Sequence, residues 1–320
     1  MAVFESFEEY NDLDDIAGKL GDSDPGARQV AVIELADSGD PGAVAYLAEA
    51  IADPDAGVRL QAARALGEFD GPDCAAALVS ALSDADGDVA AAAAASLIEM
   101  KDPECAPALL ERAADPDVRV RRAVLNPLKT LRNEVAYEPA LRALGDGDAE
   151  VRMHAVGVLA WLKKDSALPA LFSATRDENA MVRRTAVGAL AFSQAPRVGE
   201  ALVGALADGD WSVRETAAET IGKVGLRDGI AGLIRAMADP YWQVRVKAAR
   251  SLGALKAAAA VAALAPALDH DISNLRKEAA AALGEIGHSD AIPYLEAASG
   301  DPDPDVRKNV DWALRQIRAA

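Results

Sequence analysis

Asp239-Pro-Tyr-Trp-Gln-Val-Arg-Val-Lys-Ala-Ala-Arg-Ser-Leu-Gly253 is the stretch on which the reading of the whole chain turns. The arginine at its centre, Arg245, is one of nine that lie 31 residues apart or a multiple of that. The others are Arg28, Arg59, Arg121, Arg152, Arg183, Arg214, Arg276 and Arg307, and Ala90 fills the one gap. Seven residues beyond these positions stand Leu35, Leu66, Leu97, Leu128, Leu159, Leu190, Ile221, Leu252, Leu283 and Leu314. Six residues before them stand Asp22, Asp53, Asp84, Asp115, Asp146, Asp177, Asp208, Asp239, His270 and Asp301. An apolar column twelve residues before runs from Ile16 through Leu47 and Leu78 to Leu295. Columns kept in register this long, with no insertion or deletion, define a repeat array.

Each unit reads as two helices. Asp-Pro-Asp and Asp-Gly-Asp segments divide the unit, since Asp caps a helix and Pro or Gly interrupts one. Past that break, apolar residues at offsets −1, +3 and +7 from the grid follow helical spacing and mark a buried face. Glycines at +8 or +11, such as Gly67, Gly222, Gly225 and Gly287, allow close packing or end the helix. A lone helix pair cannot bury its own apolar face, so each unit must stack on its neighbours. The fold class expected is an all-α solenoid in one domain, residues 1–320. Its ten repeats span 10–40, 41–71, 72–102, 103–133, 134–164, 165–195, 196–226, 227–257, 258–288 and 289–320. The Asp column is expected to cap helices and the Arg column to link neighbouring loops. Pro127 and Pro266 fall inside helices and predict kinks, and repeat three, with Ala90 and an alanine run, reads as the weakest link.

The stretch Asp239–Gly253 resembles the HEAT-like repeats of the phycobilin lyase family and is similar to designed alpha-repeat proteins built from a consensus of them. The resemblance covers about Leu13 to Ile317. It implies a stack of helix pairs whose second helices line an inner, concave surface. It is specific for fold and nearly silent about activity.

Composition limits the function classes. The 320 residues are 51% hydrophobic but only 4% aromatic, and the net charge is −18. So acidic a surface repels phosphate backbones and argues against nucleic-acid or anionic-membrane binding. No apolar stretch is long enough to span a bilayer, and the acidic start has no secretory signal, so a cytoplasmic protein is expected. Cys74 and Cys105 occupy equivalent places in adjacent repeats. Helices there lie roughly 8–10 Å apart, which predicts two reduced thiols and no disulfide.

Function in a solenoid belongs where the repeats differ. Offsets −3, +1, +2, +5 and +9 project opposite the core side of the second helix. All four tryptophans fall there: Trp211 and Trp242 at −3, Trp161 at +9 and Trp312 at +5. Phe192 shares offset +9 with Trp161, while Asp37, Glu68 and Glu99 hold that offset in the first three repeats. The candidate partner-binding groove therefore comprises Arg122, Met153, His154, Trp161, Arg184, Phe192, Trp211, Trp242, Lys247 and Arg250, centred on repeats five to eight. Exposed aromatics with Arg between them suit a protein contact, and basic residues bordering them favour a partner with an acidic, aromatic-bearing segment. The chain's own start, with Phe4, Phe7 and Tyr10 amid Glu5, Glu8 and Glu9, has that composition and is a candidate occupant.

Enzyme readings find less support. Deoxyhypusine hydroxylase, a HEAT-type enzyme, binds iron through His-Glu dipeptides, whereas none of His154, His270 and His288 precedes Glu or shows metal-ligand spacing. HEAT-like DNA glycosylases need a basic groove. The resemblance to phycobilin lyases implies an alternative, a subunit handling a linear tetrapyrrole on a phycobiliprotein-like partner. The expectation is a non-enzymatic scaffold that uses no metal or cofactor.

Overall fold

A computed structural model describes residues 12–319 of the chain. It divides into two units, Met1–Leu162 and Lys163–Ala320. The first holds α1 (Asp12–Gly18), α2 (Pro25–Asp37), α3 (Ala43–Ala50), α4 (Ala56–Leu66), α5 (Pro72–Ala81), α6 (Gly87–Ile98), α7 (Ala106–Leu110), α8 (Val118–Leu131), α9 (Tyr137–Ala143) and α10 (Ala149–Leu162). The second holds α11 (Leu168–Ala174), α12 (Ala180–Ala189), α13 (Pro196–Ala205), α14 (Trp211–Val224), α15 (Ile230–Ala236), α16 (Trp242–Ala254), α17 (Val261–Leu264), α18 (Ser273–Ile286), α19 (Ile292–Ala297) and α20 (Pro304–Ala319). No strand occurs among the described residues. Phe4, Phe7 and Tyr10 lie outside them.

Even-numbered helices are the second helices, and their first residues follow the 31-residue grid from Pro25 to Pro304. Within each unit they pack side by side. The columns at +3 and +7 form the core: Ala62, Leu66, Ala93, Leu97, Val124 and Leu128 in the first unit are almost completely buried, as are Ala217, Ile221, Ala248 and Leu252 in the second. Truncating one such leucine to alanine costs about 2–5 kcal/mol.

Glycine at +8 sets how closely successive second helices approach. A Cβ on Gly67 would stand 2.5 Å from Ser96 Oγ, and one on Gly222 would stand 2.3 Å from Ser251 Oγ. Those two hydroxyls occupy equivalent positions and donate to the carbonyls of Ala63 (2.9 Å) and Ala218 (2.7 Å) in the preceding repeat. Glycine at +11 has the other role expected of it. Gly225 and Gly287 take left-handed φ values of 70° and 74° at helix C-termini, where a side chain is disfavoured. Arg132, Lys163 and Lys256 hold the same offset and adopt φ of 53°, 51° and 51°.

Asp and Arg columns form a ladder, but the capping residue is not the one expected. Arg28 donates from Nε and Nη2 to Asp53 of the next repeat (2.7 and 2.8 Å) and from Nη1 to the carbonyl of Asp22 in its own (2.8 Å). Asp53 in turn accepts the N–H of Asp55 (2.8 Å), and it is the Asp55 carboxylate, two residues later, that caps α4. One carboxylate cannot conveniently grip a neighbour's guanidinium and cap a helix, so the two tasks fall to successive acidic residues. The same bidentate rung joins Arg59 to Asp84, Arg121 to Asp146, Arg183 to Asp208, Arg214 to Asp239 and Arg276 to Asp301. Hydrogen bonds from these guanidinium groups hold Asp53, Asp84, Asp208 and Asp301 below the usual carboxylate range.

The two internal prolines behave differently. Pro127 is buried within α8, which continues over 14 residues without a break. Before Pro266 the helix stops, α17 ending at Leu264 and a 3₁₀ segment taking over from Ala265 to Asp269. Cys74 and Cys105 are free and buried, and burial pushes their thiols up to about 11 and about 12.

Candidate functional site

The candidate residues divide between the two units, and each set is described separately. In the first, Arg122, Met153, His154 and Trp161 lie on α8 and α10. Arg122 is committed within the fold: its Nε meets Asp148 at 2.8 Å and its Nη1 meets Glu150 at 2.8 Å. The Arg122 hydrogen bond is the chief cause that holds the Asp148 carboxyl at about 2. His154 is half-buried, and burial, helped by the nearby Lys129 charge, pushes its imidazole below its ordinary range. Trp161 is 43% exposed, and the guanidinium of Arg132 from the preceding repeat lies 4.3 Å from its ring centroid.

In the second unit, Arg184 is exposed and has no acid partner among the described residues. Lys247 and Arg250 do have partners. Lys247 lies 3.4 Å from Glu219, which Lys223 also approaches at 3.1 Å, and Arg250 donates to Glu278 at 2.7 and 3.1 Å. The basic border expected beside the aromatics is therefore largely neutralised by acidic residues of adjacent repeats. Trp211 and Trp242 are the first residues of α14 and α16, and both are half-buried. Trp211 stacks on Tyr241 with centroids 5.6 Å apart, and the ladder residue Arg214 covers Tyr241 at 5.7 Å. Phe192 sits in the 3₁₀ turn after α12.

The aromatics occupy two kinds of position along their helices. Trp161 and Phe192 are near the C-terminal ends of their second helices, while Trp211 and Trp242 open theirs. A difference of twelve helical positions is about 18 Å. Trp312 has a third kind of setting: its ring packs over Gly284, where a Cβ would be 2.5 Å from Cζ3. Arg132 and Tyr241 belong to these clusters although the projection left them out. Arg132 lies in the +11 column, which glycine shares with Lys101, Lys163 and Lys256, and Tyr241 lies in the capping column, where Asp predominates. The Tyr241 departure is visible in the sequence once that column is aligned, whereas Arg132 matches a basic residue common in its own column.

No cluster of His, Cys, Asp and Glu able to hold a metal ion occurs among the described residues, and no helix there is long and apolar enough to cross a membrane.

Stacked helix pairs tied by an Arg–Asp ladder define an α-helical repeat protein of the solenoid class. The family model for HEAT repeats matches residues 15–97, 75–147, 137–222, 199–281 and 273–319, so the chain belongs to the HEAT repeat family. Among curated proteins no relative matches it by sequence. Solved structures of similar fold include an engineered protein, 21% identical with a TM-score of 0.51, covering 96% of this chain and 99% of that one. Another is YibA of E. coli, 18% identical with a TM-score of 0.63 over 81% of this chain and 96% of that one. A chain from the structure in which Kap95p binds RanGDP is 14% identical with a TM-score of 0.64. That match covers 95% of this chain and 50% of the other. At these identities the likeness concerns the fold alone.

Proposed function

We propose that this HEAT-repeat chain is a non-enzymatic scaffold that binds a partner protein along the exposed face of its second helices. The supporting observation is the pair of aromatic stacks, Arg132 on Trp161 in one unit and Trp211 on Tyr241 in the other. Each joins two adjacent repeats and leaves a large ring accessible, as in the hot spots of protein interfaces. Trp161 and Tyr241 are 43% and 45% exposed, far more than the core columns beside them. Because Lys247 and Arg250 are already paired, recognition of an acidic segment would fall to Arg132 and Arg184. That the similar Kap95p binds RanGDP agrees with a binding role for the fold. A tetrapyrrole-handling subunit would need aromatic and basic side chains converging on one cavity, whereas in the second unit Phe192 follows the end of its second helix and Trp211 and Trp242 begin theirs.

The test compares the wild type with a Trp161→Ala, Trp211→Ala, Trp242→Ala variant as baits, after circular dichroism has established that the variant is folded. Proteins captured by the wild type and lost by the variant are the expected result. Identical captures would reject the second-helix face as the binding surface.

A further inference from the structure

A crevice of about 330 Å³ lies between α11 and α13, on the first-helix side of the second unit. Phe172, Thr175, Arg176, Arg197, Glu200 and Gly204 line it. Crevices at equivalent places border Leu110 and Pro139 in the first unit and Ala265 and Tyr294 in the second, so the shape belongs to the repeat. Its chemistry does not. Phe172 occupies a column that elsewhere carries Val79, Leu110, Leu141, Val203 and Ile234. Thr175 replaces the Leu82, Leu144, Leu206 and Leu268 of its column. Arg176 stands where Ala52, Ala114, Ala207 and Ala238 stand, and Arg197 where the acids Asp73, Glu104, Asp228 and Asp290 do. Asp269, Glu296 and Ser299 also break these columns, but an aromatic ring and two arginines stand in them only at Phe172, Arg176 and Arg197. Columns of a solenoid are kept by packing that every repeat shares, so three such departures meeting in one crevice mark a local task.

The geometry says what kind of group would be held. Arg197, Glu200, Ala201 and Gly204 follow i, i+3, i+4, i+7 spacing, so α13 turns one face to the crevice. The Arg197 guanidinium lies 4.8 Å from the centroid of the buried Phe172 ring, which fixes its plane. Neither Arg197 nor Arg176 has an acid partner among the described residues, whereas Asp208 on the far wall is already gripped by Arg183 at 2.8 Å. The free charges are thus two guanidinium groups against one Glu200, a balance suited to a monoanion. A phosphate group of about −1.5 to −2 would bring its second charge against Glu200. Phe172, Ala201 and Ala205 supply apolar wall beside the charged end. We infer that this crevice binds a carboxylate on an apolar stem, its two arginines presenting planar N–H forks to the oxygens. The carboxylate belongs either to a small free acid or to the chain end of a protein partner. This site is separate from the second-helix face and does not depend on it.

Calorimetric titration of the full chain with phenylacetate, and separately with inorganic phosphate, tests the assignment. Saturable binding of phenylacetate is expected, weakened at least tenfold by Arg197→Met and by Arg176→Met, with phosphate weaker than phenylacetate. A short peptide ending in phenylalanine separates the two sources. Tighter binding than phenylacetate, abolished by C-terminal amidation, assigns a protein chain end; binding no tighter than phenylacetate assigns a free acid. The proposal is overturned by the absence of saturable phenylacetate binding, by affinity unchanged in both methionine variants, or by phosphate binding as tightly as phenylacetate. Both substitutions replace exposed side chains and retain apolar length, so the fold should be unaffected, and circular dichroism checks this.

Discussion

Two rungs of the Arg–Asp ladder depart from the pattern, one in each unit, and their outcomes differ. Between α6 and α8 the arginine is missing, because Ala90 occupies its place. The waiting carboxylate, Asp115, is taken instead by Arg112, whose Nε lies 2.7 Å away and whose Nη2 reaches Ser83 in the preceding loop at 2.7 Å. A tie between the two repeats is restored by a different side chain. Between α16 and α18 it is the acid that is replaced, by His270. The N–H of Ile272 donates to Nδ1 at 3.0 Å, so in the neutral ring the proton resides on Nε2. That nitrogen lies 2.9 Å from Nη2 of Arg245, which leaves donor facing donor. Arg245 Nε is buried with no hydrogen-bond partner among the described residues. The Asp115 carboxylate can be reached by an arginine of its own repeat, whereas a guanidinium held between two repeats can donate only to what the next loop presents. Loss of the cation is therefore repairable, and loss of the anion is not.

An intact rung sets the scale of the comparison. Asp208→Ala removes both acceptors from the Arg183 fork and is expected to lower stability by about 2–3 kcal/mol, read from the denaturation midpoint. If the midpoint does not move, the ladder is decoration and the comparison loses its basis. Arg112→Ala tests the repaired rung and should cost less, about 1–2 kcal/mol, since Arg112 is partly solvated. A cost near zero would mean that Arg112 compensates for nothing. The smallest effect is a gain: His270→Asp gives Arg245 its bidentate acceptor and should raise stability by about 1 kcal/mol. Thermal melting of this variant decides whether the unpartnered Nε is a real defect, and a destabilised variant would show that it is not.

These rungs also show how far sequence reading reaches. The Arg and Asp columns are legible because period and register survive in the linear order. Which of two nearby acids caps the helix is not legible there, since Asp53 and Asp55 are both suitable caps by type and only their orientation assigns the tasks. The candidate face was legible in part. Its tryptophans could be placed on a helix surface, but the partners of Arg122 and Arg250 lie 26 and 28 residues away in sequence, in the adjacent repeat. Single-helix projection cannot see such a pair. The crevice at Phe172 is not legible in the sequence for a related reason, because its lining comes from two first helices and the turns after them, which meet only when the repeats stack.

The sequence by itself determined the period, the helix pair and the core columns. Burial of a repeated apolar face follows from helical spacing alone, which makes the HEAT architecture readable from one chain. Only the tertiary structure decided which charges neutralise one another, which aromatics stay accessible and which departures from the repeat meet. Those outcomes depend on side chains of neighbouring repeats coming within a few ångströms of each other, and that proximity is created by the stacking rather than by any one helix.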